Sequence, residues 1–122
     1  MWTYQQSTGK LSHDGVLVGI GYSGRENGLN NPAAQSQKAL GPIPQGEWTI
    51  GAFFDDPGGK GPIVSRLTPI KGNNMAGRPG GFMIHGDNGA ANHSASHGCI
   101  ILARPYRIAI RDSADRSLTV TA

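Results

Sequence analysis

The chain is poor in what would let it be cross-linked, inserted in a bilayer or drawn onto nucleic acid. It has one cysteine, Cys99, so no intramolecular disulfide can form and the fold must hold by packing. No apolar run approaches the roughly 20 residues of a membrane-spanning helix, which argues against membrane insertion. The N-terminal Met-Trp-Thr-Tyr-Gln-Gln has neither the basic nor the apolar part of a signal peptide. Synthesis in the cytoplasm is therefore expected, and action outside the cell requires a separate export machine. The net charge is +3, but its Lys and Arg residues are scattered from Lys10 to Arg116. Nucleic-acid binding needs a clustered basic patch with interleaved aromatics, and none is visible, whereas an acidic polymer remains compatible with mild basicity.

Hydrophobic residues make up only 37% of the 122, while Gly numbers 19 and Pro 8. That balance favours turns and short strands over long helices, and the length suits one domain spanning residues 1–122. Trp2 to Gln6 reads as a strand. Lys10 to His13 and Val16 to Tyr22 flank Asp14-Gly15, a two-residue hairpin signal that demands positive φ. Trp2, Tyr4 and Tyr22 sit on these strands, either as core or as the lining of a groove.

From Ser23 to Gln45 the composition turns to Gly, Asn, Pro and Gln. A connection of that length acts as a lid or rim, or packs as a surface loop. Pro32 to Leu40 could form a helical turn or two. Gly46 to Phe54 reads as one buried strand, and Asp55 and Asp56 as turn-formers rather than a metal or acid/base couple. Ile63 to Pro69 is a further strand, and Lys71 to Gly81 a loop. Pro105 suits the first position of a helix whose Tyr106, Ala109, Ile110 and Ser113 share one face. Leu118 to Thr121 closes the chain as a strand. The expected fold is mainly β with a short C-terminal helix.

The segment Phe82 to Leu102 holds the lone cysteine and three of the four histidines. Phe82-Met-Ile is a strand-type run that ends at His85-Gly-Asp-Asn, and Ser96-His-Gly-Cys99 runs into Ile-Ile-Leu. A thiol is partly ionised near neutrality, and a neighbouring imidazole raises that fraction, which makes Cys99 the candidate nucleophile and His85 its base. Gly98 and Cys99 offer adjacent N–H groups for an oxyanion, with Ser96 in the same turn, and His97 supports the turn or touches substrate. Asp87 or a backbone carbonyl could orient the imidazole. Two other readings stand beside this one. Cys99 could be a buried hydrophobe, or His85, His93, His97 and Cys99 could form a zinc set, although Asn92 to Gly98 is a poor helix for the spacing of His93 and His97.

Ser96-His-Gly-Cys-Ile with an upstream His-Gly pair resembles the active-site signature of the L,D-transpeptidases of bacterial cell walls. Trp2-Thr-Tyr, Ser7-Thr-Gly-Lys-Leu, Gly19-Ile-Gly-Tyr-Ser-Gly24, Asn30-Asn-Pro32 and Gly41-Pro-Ile-Pro-Gln-Gly46 extend the resemblance to the branch delivered between bacteria as type VI secretion effectors. The resemblance implies a β-sandwich or open barrel-like catalytic sheet, no cofactor, and Cys/His acyl transfer on peptidoglycan stem peptides. It also implies secretion machinery and a cognate immunity protein as partners, with action in the target-cell periplasm. The His85 to Cys99 interval is shorter than the family norm. Ile101 stands where many members carry Arg or Asn, which turns attention to Arg104 or Arg78 as the grip on a substrate carboxylate.

Overall fold

The computed structural model describes residues 1–122. Its strands are β1 (Trp2–Gln5), β2 (Lys10–His13), β3 (Val16–Ile20), β4 (Tyr22–Ser23), β5 (Gly46–Ile50), β6 (Phe54–Asp56), β7 (Gly61–Pro69), β8 (Met83–His85), β9 (Ile100–Ile101) and β10 (Ser117–Thr121). One α-helix, α1 (Arg104–Ser113), stands between β9 and β10. The ten strands join in one sheet of order β3-β2-β1-β10-β5-β7-β8-β9-β4, with β6 paired to β7 outside this path. The expectation of a mainly β fold with a single short C-terminal helix is met.

The outermost strands of that order, β3 and β4, are consecutive in the chain and separated only by Gly21. One extended stretch thus serves both edges and nearly closes the sheet into a barrel, which leaves little exposed edge. The stretch read as one strand from Val16 to Tyr22 is therefore interrupted. Gly21 donates to the Gly9 carbonyl at 2.8 Å, and a β-carbon there would lie 2.0 Å from the carbonyl oxygen of Ile101. Only glycine lets the chain pass so close to the neighbouring backbone.

The Asp14-Gly15 hairpin forms as expected, with φ of 48° and 84° at its two corner residues. It joins β2 to β3, while β2 also pairs antiparallel with β1, and β1 in turn pairs in parallel with β10. The stretch read as one strand from Gly46 to Phe54 is two. Strands β5 and β6 pair with different parts of β7, Leu67–Pro69 and Gly61–Val64 respectively. Between them the Ser65 hydroxyl donates to the Gly51 carbonyl at 2.8 Å, so a side chain takes the acceptor that a continuing ladder would use. Pro32 starts only a single 3-10 turn, Pro32–Ala34, capped where the Asn31 side chain accepts from the Ala33 N–H.

The core gathers Trp2, Tyr4, Leu11, Trp48 and Ile50 with Ile84, Ile100, Leu102 and Ile110. Trp2, Tyr4 and Tyr22 are buried, so the aromatics of the first strands are packing residues rather than the walls of an open groove. Helix α1 begins with Pro105 in its first turn and sets Ile110 into the core, with Tyr106 and Ala109 packed against it. Ser113 accepts from the Trp2 indole N–H at 3.1 Å. Arg107, on the same helix, is also buried. It donates to the carbonyls of Leu102, Pro62 and Ile63, which bolts the helix to β7 and to the end of β9.

Replacing Gly21 by Ala should lower stability by about 3 kcal/mol, near the upper end for overpacking, because the new methyl meets backbone that cannot move aside. Gly80→Ala, which meets nothing within 4 Å, is the control, and urea denaturation of both variants measures the difference.

Candidate active site

Strands β8 and β9 run parallel, with Ile84 opposite Ile100 and His85 opposite Ile101. Ile84 and Ile100 enter the core, so the alternation of side chains puts His85 and Ile101 on the other face. Carried back one residue, the register sets Met83 against Cys99. Cys99 and His85 are then diagonal neighbours on one face, a spacing of about 7–8 Å between backbones that larger side chains bridge. The Met83 backbone N–H draws the Cys99 thiol pKa down, in keeping with a sulfur that lies on the β8 side.

His85 is 3% exposed. Its Nδ1 lies 2.7 Å from the Gly86 carbonyl. A carbonyl only accepts, so Nδ1 carries the proton and Nε2 of the neutral ring bears the lone pair. That Nε2 is buried and has no hydrogen-bond partner. Burial pushes the imidazole below its ordinary range, partly offset by the Gly86 carbonyl, with Lys60 and Arg107 adding to the decrease. The ring is thus a neutral acceptor at neutral pH. Burial likewise pushes the Cys99 thiol up, against the opposing pull of the Met83 N–H, Lys60 and Arg78. The resting pair is therefore thiol and neutral imidazole rather than an ion pair, and it suits proton transfer during attack.

Ser96 is the hub of the turn that delivers the sulfur. Its buried hydroxyl accepts from the N–H groups of Gly24 (2.8 Å) and Gly98 (3.1 Å) and donates to the Cys99 carbonyl (2.5 Å). The Gly98 N–H is consequently turned inward and does not face an oxyanion, because Ser96 has taken it. The Cys99 N–H takes part in no hydrogen bond within the protein and remains available. Gly98 has φ of 131°, and a β-carbon there would lie 2.5 Å from the Phe82 ring and 2.6 Å from the Arg78 guanidinium. The turn tolerates only glycine at that position. Ser23 secures it from below by donating to the Gly98 carbonyl at 2.9 Å and accepting from the Ile43 N–H at 2.9 Å.

His97 is exposed, and its carbonyl accepts from Arg78 at 2.8 Å. Asp87 does not contact the imidazole through a hydrogen bond. Its carboxylate accepts from the Tyr22 hydroxyl (2.7 Å) and the Asn88 N–H (2.9 Å). Tyr22, with burial and then Asp87 as the causes, is pushed up to about 12. The carbonyl orients His85, while Asp87 anchors the loop that follows it. Arg78 is buried and spends its Nη1 on the carbonyls of Gln35 and Pro42 and an Nη2 hydrogen on His97. It is a strut between the 23–45 connection and the cysteine turn, a role its surroundings in sequence did not signal. Arg104 is exposed at the start of α1.

Two cavities flank this pair. One, of about 240 Å³, is lined by Cys99, His97, Arg78, Phe82 and Gly81, with Ala39 of the long connection on its rim. The other, of about 210 Å³, is lined by His85, Asp87, Asn88, Ala95 and Lys60. The 23–45 connection is therefore both packed support and rim. The four residues weighed as a zinc set do not converge: the His, Asp, Glu and Cys side chains whose ligand atoms meet within 4.8 Å are His13, Asp14 and Asp115. His93 instead packs edge-on against Tyr22 at 4.9 Å.

A free thiol on a strand-end turn, on the same face of a strand pair as a neutral imidazole with an unpartnered lone pair, is a combination suited to cysteine acyl transfer. The chain belongs to the Tlde1 domain family, whose match covers residues 19–120. The name of that family is that of type VI secretion effectors of L,D-transpeptidase type. No curated protein matches the chain.

The two pKa directions give a checkable profile. Iodoacetamide should alkylate Cys99 slowly at pH 7, the rate rising through an apparent pKa above the ordinary thiol value of about 8.5. Because His85 has a folded pKa below its unfolded value of about 6.5, its contribution to stability is present above that pH. The contribution falls away as pH drops through the folded value. Denaturation midpoints in His85→Gln should show less of this acid slope than the parent protein.

Proposed function

We propose that residues 1–122 form a catalytic domain that transfers the acyl group of peptidoglycan stem peptides through Cys99. The observation that carries this reading is the buried, unpartnered Nε2 of His85, on the strand beside the cysteine turn. Leaving a buried acceptor unsatisfied costs about 1–3 kcal/mol, and a proton that arrives during reaction accounts for its retention.

In the proposed reaction His85 Nε2 takes the thiol proton as the sulfur attacks the carbonyl between the third-position L-centre of the stem and terminal D-Ala. The Cys99 N–H is the free backbone donor for the oxyanion. Collapse breaks the C–N bond, the departing amine receives the proton from Nε2, and a thioester remains on Cys99. Water then releases a shortened stem, a free D-amino acid gives exchange, and a second stem amine gives a cross-link. The first two outcomes would remove cross-linking donors from the wall. Membership of the Tlde1 domain family supports an antibacterial effector, carried out by secretion machinery, active in the target periplasm and restrained by a cognate immunity protein.

Purified protein incubated with tetrapeptide muropeptides should release D-Ala. Cys99→Ala should abolish release, with a loss of at least about 1,000-fold, and His85→Ala should reduce it about 100- to 10,000-fold. Intact substrate with the parent protein, together with stoichiometric bound zinc, would instead identify a non-catalytic metal-binding module. Expression directed to the periplasm should cause swelling or lysis that cytoplasmic expression does not, and equal toxicity in both would exclude a wall target.

A further inference from the structure

The cavity that holds His85 contains a cation with no assigned task. Lys60 sits at the tip of the turn between β6 and β7, where Asp56 faces Gly61 across the ladder. Asp56 fixes that turn by accepting from the N–H groups of Gly58 (2.9 Å) and Lys60 (3.2 Å), and Asp55 accepts from Ile63 N–H at 3.1 Å. The turn is thus built, and it delivers Lys60 to the lining of the cavity that holds His85. Lys60 takes part in none of the ion pairs of the protein. The one anion that lines the same cavity, Asp87, already has an oxygen occupied by the Tyr22 hydroxyl and the Asn88 N–H. The other nearby cation, Arg107, is buried and committed to three carbonyls.

The chemistry of the leaving group says what this cation faces. If His85 returns its proton to the departing amine, that nitrogen comes within hydrogen-bond reach of Nε2. In an α-amino acid the carboxyl carbon is two bonds from the nitrogen, about 2.5 Å away. The carboxylate of a departing C-terminal residue therefore lies toward the cavity that His85 lines, where Lys60 is the cation, rather than the one that Arg78 lines. We infer that Lys60 binds the free carboxylate of the departing amino acid, making the enzyme select a single C-terminal residue over an internal peptide bond. The inference rests on the acyl-transfer reading above and assigns to Lys60 the grip that sequence resemblance directed to Arg78 or Arg104. An amino acid that attacks the thioester enters through the same subsite, so Lys60 also favours a free amino acid over water as acceptor.

The test compares a tetrapeptide donor ending in a free carboxylate with the same peptide ending in a carboxamide. The parent protein should prefer the acid by about 10- to 100-fold in kcat/KM, the span of one charge-assisted hydrogen bond. Lys60→Met should bring the acid-to-amide ratio close to one, and Lys60→Arg should keep most of it. With added D-amino acid, Lys60→Met should also shift product from exchange toward hydrolysis, which a merely structural role of the turn would not do. An unchanged acid-to-amide ratio in Lys60→Met, with D-Ala still released, overturns the inference and leaves the acyl-transfer reading standing. Failure of the parent protein to cleave either peptide overturns both.

Discussion

The parallel pairing of β8 with β9 is the constraint on which the site depends. Five residues in two strands fix the register that sets the sulfur turn beside the imidazole. So short a ladder has little cohesion of its own. It is clamped where the Leu102 N–H donates to the His85 carbonyl at 3.0 Å, and Arg107 holds the Leu102 carbonyl from the helix side. Gly86 lies directly under that guanidinium, where a β-carbon would meet Nη2 at 2.8 Å. The helix, the strand pair and the glycine after the histidine therefore form one mechanical unit.

Charge is distributed around this unit so that neither the imidazole nor the thiol is favoured in its ionised form. Burial disfavours both the imidazolium and the thiolate. Cations at each end, Arg78 beside the sulfur and Lys60 beside the histidine, partly counter the second effect and reinforce the first. In the proposed reaction such an arrangement would stabilise negative charge as it develops on sulfur and oxygen, and leave the imidazole free to take up the thiol proton.

Local chemistry made much of this legible in the sequence. Asp14-Gly15 needs positive φ at both corners, and the hairpin followed from that alone; Pro105 and the spacing of Tyr106, Ala109 and Ile110 announced the helix. The neighbourhood of His85 and Cys99 was visible as two glycine-flanked strand ends. What stayed hidden depends on partners far along the chain. The interruption at Gly21 is dictated by Ile101 and that after Ile50 by Ser65, so no window around either position reveals it. Arg107 looks like an ordinary helix-surface cation until its three carbonyls are known. Asp87 suggested a triad by proximity, yet Tyr22, 65 residues earlier, claims its carboxylate. The inward Gly98 amide was equally unreadable, because Ser96 could as well have turned its hydroxyl to solvent.

The raised thiol pKa bears on the chemical survival of the sulfur. Peroxide and disulfide reagents attack the thiolate, so a sulfur kept protonated by its surroundings climbs the oxidation ladder slowly toward sulfenic and sulfinic acid. With no second cysteine in the chain to resolve a sulfenic acid as an internal disulfide, such quiescence is the protection its own fold can offer. The burial that slows ionisation would thus preserve a single unguarded sulfur wherever its surroundings are oxidising.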